Sequence, residues 1–195
     1  MSNLKKSDRT RIEILDAAWD LIAERGAAVS LAEIAKAVGI TRQAVYVHFG
    51  SRSGLLLALV RRADERFKIW QSFDSAIAEN EPRIRLDAVL CAWLEFVPKI
   101  HPVAIDLVRL RAKDSAADAA WVDRMSDLHS FFLRVVSSLA GDNALSEQWE
   151  VETAADYMWA ACSVQAWDLL VSDRGWHEEQ AGRIIRRTIA ATLLK

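Results

Sequence analysis

Apolar residues recur at three- and four-residue spacing through nearly the whole chain, and the residues that end helices fall between those runs. Only 7 Gly and 3 Pro occur in 195 residues, and β-branched clusters are few, so little strand or hairpin chemistry is present. The pattern predicts an all-α fold of about nine helices. A first helix spans about 7–25, with Ile12, Leu15, Ala18 and Ile22 on one face and Gly26 as a left-handed stop. Two short helices follow, ending at Gly39 and near His48. Longer ones are expected over 54–78, from Pro82 to Val97 with Pro98 as a stop, and from Pro102 to about Lys113. The remaining three run from Ser115 to Gly141, over about 146–172, and from Trp176 to the end.

The stretch from Ser30 to Phe49 carries the mechanics of a helix-turn-helix. Ser30 and Glu33 have the spacing of a capping box, Ala35 leaves room for two helices to cross, and Gly39 supplies the positive φ of a tight turn. Ile34, Val38, Ile40 and Val45 form a small core between the helices. The exposed face of the second helix then becomes the candidate reader of a duplex. Arg42 suits the paired acceptors of guanine and Gln43 the mixed edge of adenine. Thr41, Tyr46, His48 and Arg52 suit phosphates, as does Ser30 at a helix N-terminus.

The run Ile34-Ala35-Lys36-Ala37-Val38-Gly39-Ile40-Thr41-Arg42-Gln43-Ala44-Val45-Tyr46-Val47-His48-Phe49 resembles the DNA-binding module of TetR-type bacterial regulators. Ile14-Leu15-Asp16-Ala17-Ala18 and Glu24-Arg25-Gly26 match the helix that precedes it in that family. The motif match covers about residues 10 to 60; beyond it only length, helix count and helix order agree. The resemblance implies a homodimer on a palindromic DNA operator, with a small-molecule effector held in a C-terminal domain. One departure stands out: Arg52-Ser53 occupies the place of the usual Lys-Glu pair that opens the fourth helix.

Charge is divided along the chain in the same sense. Residues 1–68 carry 12 Lys/Arg against 8 Asp/Glu, and residues 69–195 carry 13 against 19. A basic head suits phosphate, and an acidic remainder stays off it. The expected division is a DNA-binding domain over 1–53 and a ligand-binding and dimerisation domain over 54–195. Seven of the 8 tryptophans follow residue 69. Trp70, Trp93, Phe96, Trp121, Met125, His129, Phe132, Trp159 and Trp167 are candidates to line an apolar cavity for a hydrophobic or aromatic effector. Arg109, Arg111 and Asp168 are further polar candidates for orienting it. Ala154, Met158, Ala161, Gln165, Ile184, Ile185 and Thr188 lie on the two helices that the resemblance assigns to the dimer interface.

Other classes find little support. Cys91, Cys162, His48, His101, His129 and His177 have no metal-ligand or catalytic spacing, and no Gly-rich phosphate loop occurs, so no enzyme, metal or cofactor is expected. The two cysteines sit in apolar helical patterns, which suits reduced thiols in a cytoplasmic protein. No uninterrupted apolar run or apolar leader follows the polar N-terminus, so neither a signal peptide nor a membrane span is expected. The expected function is a ligand-released repressor. The alternative is a DNA-binding activator or architectural protein without effector control.

Overall fold

The computed structural model describes residues 6–25 and 29–195, and these are helical with short connections. The elements are α1 (Lys6–Arg25), α2 (Leu31–Val38), α3 (Arg42–Phe49), α4 (Arg52–Phe67), α5 (Ile69–Ile77), α6 (Pro82–Leu110), α7 (Ser115–Gly141), α8 (Val151–Ala161), α9 (Val164–Asp168) and α10 (Glu178–Leu193). A π turn, Leu169–Asp173, extends α9, and an isolated antiparallel bridge joins Leu145 to Leu194. Among the described residues there is no strand beyond that bridge. The expected stop at Gly26 lies outside the described residues.

Helix number comes close to the expectation, but three breaks fall elsewhere. The span over 54–78 is two helices, because Lys68 takes the left-handed conformation (φ 51°) between α4 and α5. Pro98 and Pro102 do not bound helices, since α6 runs through both for 29 residues. Each proline lacks an N–H and so removes one helical hydrogen bond. Burial of Leu94, Val97, Ile100, Val103 and Ala104 around them holds the helix together regardless. Third, the span over 146–172 begins only at Val151 and breaks at Cys162. There the indole of the buried Trp93 donates to the Cys162 carbonyl at 2.7 Å, and the Ser163 hydroxyl caps α9 by accepting from Ala166 N–H. The start of α7 is also capped differently: Asp114, not Ser115, accepts from Ala117 N–H at 3.1 Å.

The chain divides into two compact units, one of residues 1–66 with 102–121 and the other of 67–101 with 122–195. The seams fall at the end of α4 and inside α6 and α7. In the first unit Ile14, Leu15, Ala18 and Ile22 of α1 are buried with Ile34 and Ala35 of α2, Val45 of α3 and Leu55, Leu56 and Leu59 of α4. The Asp16 carboxylate takes both prongs of Arg62, at 2.8 and 3.1 Å, which ties α1 to α4.

In the second unit the core is aromatic. Phe73 stacks on Phe131 at 4.1 Å between ring centroids, Trp70 meets both edge-on, and Trp93 packs against Phe96 and Phe132. Such pairs add about 0.5–1.5 kcal/mol each beyond burial. By length and composition α6 could also cross a membrane, although 56% of its most apolar window is buried inside the protein.

Candidate nucleic-acid interface

The helix-turn-helix is fixed by its caps. Ser30 begins α2 with a complete capping box: its hydroxyl oxygen accepts from Glu33 N–H at 3.2 Å, and the Glu33 carboxylate accepts from Ser30 N–H at 2.9 Å. These hydrogen bonds hold the Glu33 carboxyl below its ordinary pKa. Gly39 closes α2 at φ 73°, and Ile40 N–H reaches back to the Ala35 carbonyl at 2.9 Å. Thr41 then caps α3, its hydroxyl oxygen accepting from Ala44 N–H at 3.1 Å. Of the four residues expected in the inter-helix core, Ile34 and Val45 are fully buried, while Val38 and Ile40 are half-buried.

Two features hold α3 that the motif alone did not reveal. Arg11 of α1 donates to the His48 carbonyl at 2.6 Å and lays its guanidinium 4.4 Å over the Phe49 ring, pinning the end of α3. Gly54 allows α4 to begin against α3, because a Cβ there would lie 2.1 Å from the Phe49 carbonyl oxygen. Arg11 lies 37 positions from His48, so no local pattern could have paired them.

The expected DNA-facing residues divide into three groups. Thr41, Arg42 and Gln43 are exposed on the first turn of α3, and Tyr46 and His48 are half-exposed. Arg42 leans along its own helix, its Nη2 donating to the Tyr46 hydroxyl at 3.2 Å and its guanidinium 5.4 Å from the ring. Ser30 is exposed, but its hydroxyl also donates to Glu33 at 2.7 Å, so a carboxylate already occupies that helix end.

Arg52 is turned inward, contrary to the phosphate role. Its guanidinium donates to Asp106 at 2.7 and 3.2 Å and to the Val29 carbonyl at 2.5 Å. Arg52 therefore clamps the segment before α2 to α6. The buried Ser53 beside it donates to Asp114. One residue went unnoticed in the sequence: Val47, 77% exposed in the middle of the α3 surface.

The aromatic candidates for an effector cavity are spent largely on packing. Trp93, Phe96 and Phe132 are buried against one another, Trp70 joins that cluster, and the buried Trp121 belongs to the other compact unit. Met125 and Trp159 are half-buried, and His129 holds Asp156 at 2.8 Å. Arg111 is paired with Asp118 and Asp168 with His101, each at 2.8 Å, and Arg109 is exposed. Trp167 alone of the aromatic set lines a cleft of about 650 Å³ between α6, α9 and α10. That cleft is strongly charged, carrying Glu95, Lys99, Glu178, Glu179, Arg183 and Arg186.

Three of the dimer candidates are also internal: Ala154 and Met158 are fully buried and Ile185 is 7% exposed. They belong to the core of their own unit, in which α8 and α10 pack on each other. Thr188 and Ile184 are exposed, and Ala161 and Gln165 are half-buried.

A capped helix pair with an exposed second helix, among described residues that are helical with short connections, defines a helix-turn-helix protein. A sequence model of bacterial regulatory proteins of the tetR family matches residues 14–59. The chain is 38% identical over 78 residues to the HTH-type transcriptional regulator AcrR of Shigella flexneri, a match covering 40% of this chain and 32% of AcrR. It is 29% identical over 160 residues to the HTH-type transcriptional repressor BepR of Brucella suis, covering 77% of this chain and 76% of BepR. The fold agrees with that of a transcriptional regulator from Saccharomonospora viridis solved in complex with choline (TM-score 0.76, 18% identity, 96% of this chain and 99% of the other). Residues 14–59 thus match the DNA-binding module of the tetR family of bacterial regulatory proteins, and the relatives that extend further along the chain are transcriptional regulators.

Proposed function

We propose that the protein is a ligand-responsive transcriptional repressor that binds a palindromic operator as a homodimer. The observation that carries this reading is the surface of α3: Thr41, Arg42 and Gln43 stand exposed on its first turn while Val45 and Phe49 are buried and anchor the helix. An exposed helix held so firmly from behind suits the major groove. In this reading donors on α3 meet base edges, and Thr41, Tyr46 and His48 hold the backbone. Dimerisation falls to the exposed parts of α9, α10 and the π turn, where Ile184, Thr188 and the 59%-exposed Leu169 lie. The DNA-binding part is residues 1–53 with the clamp from α6, and the rest carries the ligand and the partner.

The charged cleft against Trp167 shifts the effector from a purely apolar molecule toward one with a charged group. The choline complex of the Saccharomonospora viridis protein supports a charged ligand by analogy. The test is fluorescence anisotropy of labelled duplexes drawn by repeated selection from a randomised library, using the full chain. Enrichment of an inverted repeat, bound at one or two dimers per site, is the expected result. No enrichment above random DNA would overturn the proposal. Activation in place of repression would appear as raised transcription from a reporter carrying the enriched site.

A further inference from the structure

We infer that Val47 is a specificity residue, reading the 5-methyl group of thymine beside the base that Gln43 contacts. This rests on α3 entering the major groove, and it redistributes the roles on that helix.

The orientation of α3 is set by its buried residues, Val45 and Phe49. At about 100° per residue, the direction opposite their mean falls on Val47, with Gln43 and Ala44 on either side of it. Arg42 falls well toward the buried edge, and it is there that its guanidinium lies over Tyr46. The centre of the outward face is therefore an amide, a methyl and an isopropyl group.

Burial does not account for Val47. It is the most exposed of the large apolar residues on the described surface, at 77% against 59% for Leu169, and it gains nothing from burial. A β-branched residue in a short exposed helix also lowers helix propensity. An apolar group at that place becomes favourable once it meets another apolar group. In the major groove the apolar feature that distinguishes one base pair from another is the thymine methyl. Gln43, one turn earlier on the same face, can accept from and donate to adenine. Together they favour an A·T-rich step at the centre of each half-site, while Arg42 beside Tyr46 supplies charge to a phosphate.

The test uses the full chain and the duplex enriched from a randomised library. Thymines are replaced singly by deoxyuridine, which removes only the methyl group, and affinity is measured at fixed salt for the native chain, Val47→Ala and Val47→Thr. The native chain loses about fourfold per contacted thymine, the worth of one buried methyl. Val47→Ala, which removes both γ-methyl groups, narrows the difference between the thymine and deoxyuridine duplexes, and Val47→Thr, which keeps one γ-methyl, retains more of it. Arg42→Ala lowers affinity for all duplexes alike and reduces the salt slope by about one. Deoxyuridine sensitivity that is absent, or unchanged in Val47→Ala, overturns the role of Val47. A guanine requirement lost only in Arg42→Ala overturns the redistribution while leaving the regulator reading intact. A chain that enriches no sequence overturns both.

Discussion

Arg52 and Arg42 show how a side chain's role depends on what lies within its reach. Both are arginines at the first position of a helix, and both suit a phosphate by chemistry. Arg52 instead takes a carboxylate 54 positions away and a backbone carbonyl, and becomes a half-buried clamp. Removing one partner of such a pair leaves the other short of hydrogen bonds, so Arg52→Ala and Asp106→Ala should each destabilise by about 1–3 kcal/mol. The double variant should cost less than the two losses added, and urea denaturation of all three measures the difference. Additive losses would mean that the pair does not act as a unit. Glu33 gives a pH counterpart. Its folded pKa is depressed by Ser30, so its contribution is present above the ordinary carboxylate pKa and is lost as pH falls through the lower folded value. In Ser30→Ala that acid-side loss should shrink, as followed by thermal melts between pH 3 and 6.

At the scale of elements, local chemistry set the helix-turn-helix and tertiary packing set the rest. The cap residues Ser30, Gly39 and Thr41 act within four positions, so their spacing in the sequence was sufficient to place α2 and α3. Gly39→Ala should cost about 1–2 kcal/mol through its positive φ alone, since no atom lies within 4 Å of a Cβ there. The long helices were less legible. Pro98 and Pro102 are strong breakers by local rules, yet α6 continues through them because its apolar flanks are buried. Pro98→Ala restores a backbone donor inside a continuous helix and should raise stability by up to about 3 kcal/mol. A neutral or destabilised variant would argue that the helix is bounded there after all. The break at Cys162 had no local signal beyond Ser163, since it is completed by Trp93, 69 positions away.

For the whole molecule, the predictions concern assembly. Ile184→Arg together with Thr188→Arg places charge on exposed positions of α10 and should yield folded monomers by analytical ultracentrifugation, with helicity intact. Met158→Ala should act differently, costing about 2–5 kcal/mol because the residue is wholly buried in its own unit. An unaffected dimer in the first variant would move the interface elsewhere. By itself the sequence determined the helical class, the position of the helix-turn-helix and the exposed first turn of α3, because periodicity, caps and turn glycines act over a few positions. Only the tertiary structure decided that Arg52 points inward, that the aromatic residues pack on one another, and that Val47 is the centre of the exposed face. Those outcomes depend on which distant side chains share a space, and that is a property of the packed chain.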